Sequence, residues 1–212
     1  MKKYKYSYSK LIIGLFILGI VIAVATLVIG LVIAIVRSTY DKNYKEMRGG
    51  LGKGLLYIAN AFSSLYLTVI RGTPVVVQLM IMYYIIFASS SNGILIAVCA
   101  FGINSGAYVA EIFRSGIMSV DNGQFEAGRS LGFGYISTML YIVFPQAFKS
   151  VLPALANEFI VLLKETSIAG YVGIVDLTKA GDLIRGRTFS AFMPLIAVAL
   201  IYLVVVMIFT SL

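Results

Sequence analysis

Charged side chains stand inside long apolar stretches of this sequence, among them Arg71, Glu111 and Glu158. An ionisable group in hydrocarbon is expensive to keep, which makes each one a candidate for function. Arg71 precedes Pro74, where it can bind a carboxylate or the backbone carbonyls freed by the proline. Glu158 and Glu165 are seven residues apart and share a helical face, suited to an ammonium group or to pairing with Lys164 or Arg71. As an acid–base pair they fit poorly, since seven residues of helix separate them by about 10 Å. No histidine is present, which removes imidazole catalysis and imidazole metal ligation. Cys99 is the only cysteine, so an internal disulfide and a zinc cluster are both excluded. Binding and passage of a polar molecule are favoured over an intramembrane enzyme.

Asn104, Tyr108, Glu111 and Ser115 follow the i, i+4, i+7, i+11 rule and fall on one helical face. That stripe is either the wet wall of a pathway or a polar helix–helix seam, which Gly102 and Gly106 would let pack closely. For direct contact with a cargo, Glu158 ranks first, with Asn104 and Glu111 behind it and Arg71 and Asn157 nearby. Lys164 and Glu165 stand near a span end and read as interfacial, and Tyr83, Tyr84 and Tyr171 as interface anchors.

The elements that must position these groups are membrane spans. The chain is 60% hydrophobic and 12% charged with a mean hydropathy of +0.96, whereas soluble domains carry about 25% charged residues. The net charge of +8 is spread over tails and loops, so membrane topology explains it better than a nucleic-acid partner. A span needs about 20 apolar residues. The sequence predicts an all-α, polytopic membrane protein with spans at about 11–36, 55–87, 94–118, 135–163 and 191–212, forming one domain over 1–212. The first apolar run is too long for a signal-peptide core and lacks a small-residue cleavage site, so it is a retained span. Residues 37–53 read as an aqueous loop. Proline should bend the second helix at Thr73-Pro74 and kink the fourth at Pro145 and Pro153. Asp121 and Asn122 cap a short helix at about 123–132 that Gly132 ends, and VDLTKAGDLIRG can form a short amphipathic helix.

The charge rule does not orient five such spans. With the N-terminus outside, inner segments hold Arg37, Lys42, Lys45, Arg48, Lys53, Arg114 and Arg129, while outer ones hold Lys2, Lys3, Lys5, Lys10, Lys164, Lys179, Arg185 and Arg187.

Residues 126–145 read EAGRSLGFGYISTMLYIVFP. This resembles the EAA signature of ABC importer permeases, with Glu126, Ala127, Gly132, Ile142 and Pro145 in the family's positions and Gly128 replacing the second alanine. A short helix docking in a groove of a moving ATPase needs small contact residues and an acidic first turn. The blocks RGTPVVVQL, INSGAYVAEIFRSGI, FPQA and LPALANEFIVLLKETSI are similar to the polar amino-acid branch, whose members import glutamine, histidine, arginine or cystine. Members commonly continue past the last span with a basic tail, whereas this chain ends Thr210-Ser211-Leu212.

The resemblance implies a type I ABC importer permease fold whose coupling helix is cytoplasmic, which places the N-terminus outside and the C-terminus inside. It implies a second permease copy or paralogue, a pair of ABC ATPase subunits and an extracytoplasmic substrate-binding protein as partners. The sequence holds no GxxxxGK[ST] loop, so ATP and its Mg²⁺ are expected on the ATPase, with no cofactor in this chain. A stand-alone secondary transporter is the alternative; such folds often carry internal repeats, and none is convincing here.

Overall fold

The computed structural model describes residues 8–45, 47, 49–90 and 92–211, with side chains from residue 23 onward. Lys2, Lys3, Lys5, Arg48 and Leu212 lie outside the described residues, as does the side chain of Lys10. The described residues are helical and contain no strand: α1 (Tyr8–Asn43), α2 (Leu51–Gly72), α3 (Val75–Ile81) with a π turn at Met82–Ile86, α4 (Gly93–Ser119), α5 (Asn122–Ser130), α6 (Tyr135–Thr138) with a π turn at Met139–Val143, α7 (Phe144–Glu165) with a 3-10 turn at Thr166–Val172, α8 (Leu177–Thr188) and α9 (Phe192–Thr210). Among the described residues, five stretches are long and apolar enough to cross a membrane: Ala23–Asn43, Leu51–Gly72, Gly93–Ser119, Tyr135–Val172 and Phe192–Thr210.

Helix α4 is the axis of the fold, packed between α1 and α7 and touched by α2 and α3. Its small residues permit this. A Cβ on Gly30 of α1 would come within 2.6 Å of Val109, and one on Gly116 would overlap Val151 of α7. Buried clusters follow α4 along its length, from Leu79, Ala100 and Val172 at one end to Ile117, Phe125 and Val143 at the other. Helix α9 is different: mean hydropathy reaches 2.9 while only 6% of its window is buried, so its apolar surface is left for lipid or another subunit.

Two sequence expectations require correction. Residues 37–43 are not loop, because α1 continues to Asn43. Polar residues there bond to neighbouring helices: Arg37 donates to Asn60 Oδ1 at 2.9 Å, and Asp41 accepts from Arg114 at 2.8 Å. The stretch 55–87 is likewise not one bent helix. Helix α2 begins at Leu51 and stops at Gly72, Thr73 is extended at φ −122° and ψ 146°, and α3 starts anew after Pro74. Proline forces its predecessor out of the helical region, which makes this a break.

Candidate functional site

The break is braced by one side chain. Pro74 has no N–H for the carbonyl of Ile70, and Gln78 Nε2 donates to that oxygen at 2.7 Å, to Thr73 O at 3.1 Å and to Thr73 Oγ1 at 2.8 Å. Gln78 Oε1 accepts from Asn104 Nδ2 at 3.0 Å, tying the break to α4. Broken backbone survives in a membrane only where such partners cover it. Of the two uses foreseen for Arg71, bracing the freed carbonyls therefore falls to Gln78. Arg71 points elsewhere.

A cleft of about 500 Å³ opens between the end of α2, α4 and α7, lined among others by Arg71, Tyr108, Glu111, Ser115, Ser150 and Glu158. A second, of about 470 Å³, shares Arg71, Tyr108 and Glu111 with it and reaches Ser64, Thr68 and Arg37. Arg71 stacks 5.7 Å from the Tyr108 ring centroid and lies 3.4 Å from Glu111 Oε2. Across the first cleft, Glu158 Oε1 accepts from Ser105 Oγ at 3.0 Å, which fixes one carboxylate oxygen and leaves the other for a ligand. The site thus presents a cation and an anion, a ring and several hydroxyls around one space. It can hold a small molecule carrying both charges.

The predicted pathway residues divide accordingly. Arg71, Glu111 and Glu158 meet at the cleft, as do Tyr108 and Ser115 of the polar stripe. Asn104 is 2% exposed and engaged with Gln78, so it serves the seam. Asn157 is exposed on another face of α7 and does not line the cleft. Near Asn104, helix α4 also packs on α1, where Thr26 Oγ1 donates to Gly102 O at 3.3 Å. Sequence reasoning missed Gln78, Ser105 and the pairing of Arg114 with Asp41. Gln78 alone had a local signal, a long amide four residues after a proline in an apolar run.

Helix α5 stands at the end of the bundle where α1 finishes. Asp121 caps it by accepting from Gly123 N at 2.6 Å. Its other end closes when Gly132 takes φ +83°, with Gly132 N–H bonded to Arg129 O at 2.9 Å and Phe133 N–H to Gly128 O at 3.0 Å. This pair of bonds satisfies the last carbonyls and needs a left-handed residue, which glycine supplies. Phe125 and Gly128 face inward, while Glu126 and Ala127 are exposed on the outer face. Gly128 has a packing reason: a Cβ there would lie 2.6 Å from Thr138 Oγ1 and 2.7 Å from its Cγ2. Ile142 and Pro145 lie in the span leaving α5, where Ile142 O accepts from Gln146 Nε2 at 2.9 Å.

Residues 56–212 match the family described as binding-protein-dependent transport system inner membrane component. The chain is 37% identical over 192 residues to an arginine transport system permease of Bacillus subtilis (strain 168), covering 89% of this chain and 83% of that one. It is 37% identical over 176 residues to a glutamine transport system permease of Escherichia coli (strain K12), covering 76% and 80%. Among solved structures it resembles an amino acid ABC transporter crystallised with histidines, at TM-score 0.73 and 37% identity over 96% of this chain and 91% of that one. A methionine ABC transporter in inward-facing conformations matches at TM-score 0.73 and 18% identity, over 93% and 88%, a likeness of fold. The chain is a multi-pass, all-α membrane permease that belongs to the family of inner membrane components of binding-protein-dependent transport systems.

Proposed function

We propose that this permease forms the translocation pathway of an ATP-driven importer for polar amino acids and couples it to a separate ATPase pair. The carrying observation is the cleft on which Arg71 and Glu158 present opposite charges, matched to the carboxylate and ammonium of a zwitterion. The names of the 37%-identical relatives, given for arginine and glutamine transport, support the same cargo class, and they favour this reading over a stand-alone secondary transporter. In this reading the chain is one membrane domain over 1–212, paired with a second copy or a paralogue. The exposed apolar surface of α9 is open to lipid or to that second subunit. An extracytoplasmic binding protein delivers the cargo, and ATP and Mg²⁺ stay on the ATPase.

Glu126 and Ala127 are the ATPase contact, with Gly128 and Gly132 shaping α5 behind it and Ile142 and Pro145 anchoring the span that leaves it. The resemblance of residues 126–145 to the EAA signature supports a cytoplasmic face at the end of the bundle bearing α5. The N-terminus is then outside and the C-terminus inside. The test is ATPase stimulation of the assembled complex across arginine, histidine, glutamine and cystine, with the binding protein present. Stimulation by at least one is expected. Transport by the permease in liposomes without any ATPase would overturn the reading.

A further inference from the structure

Glu111 is shared between two guanidinium groups. Its Oε1 accepts from Arg114 Nη1 at 2.9 Å, while its Oε2 lies 3.4 Å from Arg71 Nη1 at the cleft. Arg114 in turn donates from Nε and Nη2 to Asp41 Oδ2 at 3.1 and 2.8 Å. Asp41 sits at the end of α1 beside Lys42, and Lys42 touches α5 twice. Its Nζ donates to Asn122 Oδ1 at 3.3 Å and stands 4.1 Å over the centroid of Phe125. Charge therefore alternates in sign from the cleft, through Arg71, Glu111, Arg114 and Asp41, to the residue that meets α5.

The links are unequal. Arg71 to Glu111 is the longest, and the Arg71 side chain is the most exposed of the four at 42%. It is the link a ligand carboxylate can compete for. The Arg114 links are charge-assisted hydrogen bonds, the stronger kind.

We infer that this run of charges reports occupancy of the cleft to α5; the inference rests on the transport reading above. A carboxylate that takes Arg71 leaves Glu111 held by Arg114 alone. Arg114, divided between two carboxylates, shifts toward Glu111 and loosens its hold on Asp41. The last turn of α1 is then released, and Lys42 with it, so α5 is freed to move. A ligand can shift such an equilibrium only by binding the two states unequally, and the exchange of partners at Arg71 is that difference. Asp41 and Arg114 are positioning residues in this scheme, since neither lines the 500 Å³ cleft.

The experiment is a measurement on the whole complex, permease with its ATPase pair and binding protein in proteoliposomes, with arginine, histidine, glutamine and cystine as probes. Two quantities are read: the ratio of stimulated to basal ATPase rate, and the probe concentration at half-stimulation. Asp41→Asn is expected to lower the ratio by about fivefold or more while half-stimulation stays within about twofold of wild type. Asp41→Glu, which keeps the carboxylate, is expected to retain the ratio. Arg114→Lys keeps the charge but cannot span both carboxylates, so it should lose the ratio as Asp41→Asn does, and it decides the matter if Asp41→Asn fails to assemble. A wild-type ratio in Asp41→Asn or Arg114→Lys, or equal losses in Asp41→Asn and Asp41→Glu, overturns the inference and leaves the transport reading standing. A wild-type complex that no probe stimulates overturns both.

Discussion

Gln78 Nε2 lies 2.7 Å from the carbonyl oxygen of Ile70, in the place of the amide proton that Pro74 lacks. A side chain thereby completes a backbone hydrogen bond that the sequence itself has removed. Gln78→Leu leaves the Ile70 and Thr73 carbonyls without it and should cost about 1–3 kcal/mol. Gln78→Glu should behave similarly, because a carboxylate cannot donate. Thermal unfolding of the detergent-solubilised complex checks both, and an unchanged midpoint in Gln78→Leu would remove the bracing role.

Gly128 faces Thr138 so closely that the alanine found in the family signature has no room. Gly128→Ala gains about 1 kcal/mol of helix propensity but forces the contact apart at about 1–3 kcal/mol. Net destabilisation is expected, and Thr138→Ala should relieve it. The yield of folded single and double variants reports the outcome; a Gly128→Ala protein as stable as wild type would contradict the packing.

Glu126 is exposed on the outer face of α5. Glu126→Lys should leave the fold and the purified yield unchanged while separating ATP hydrolysis from transport. Parallel assays of both rates in liposomes are the measurement. Wild-type transport by this variant would reject the ATPase contact.

Glu158 has one oxygen held by Ser105 and its side chain on the cleft. Glu158→Gln removes a charged contact worth about 1.5–3 kcal/mol, so the half-saturating cargo concentration should rise about tenfold or more. Ser105→Ala, which frees the carboxylate to rotate, should raise it less. Unchanged stimulation of Glu158→Gln by every amino acid tried would take Glu158 out of the site.

Asp182 accepts hydrogen bonds from Arg185 at 2.9 and 2.6 Å, with Lys179 at 3.6 Å. The hydrogen bonds and charge of Arg185 hold its carboxyl below the ordinary carboxylate value. A lowered folded-state value means the pair steadies α8 above the ordinary carboxylate range and ceases to do so as pH falls through the lowered value. Amide exchange along α8, corrected for intrinsic rates, should show wild type converging on Asp182→Asn in acid. A difference constant across pH would count against this pairing.

The spans were legible because twenty apolar residues in a row leave a chain few alternatives, and residues 126–145 were legible because five residue types recur there at fixed spacing. Arg71, Glu111 and Glu158 stood out because charge in hydrocarbon needs a reason. What the sequence hid depends on neighbours distant along the chain. The continuation of α1 through Arg37 and Asp41 requires Asn60 and Arg114, 23 and 73 residues away. In the sequence Gly128 is only a departure from the alanine of the signature; its reason is the Thr138 side chain packed against it. Asn104 looked like a pathway residue because periodicity gives its face of α4 but not the partner on that face.

Helix α4 carries Tyr108, Glu111 and Ser115 toward the cleft and Gly106, Val109 and Phe113 toward its neighbours. On the transport reading proposed above, recognition and assembly are written on opposite sides of a single rod. On that reading, substitutions at Tyr108 or Ser115 should change which molecule is admitted and leave the contacts that hold the bundle together in place.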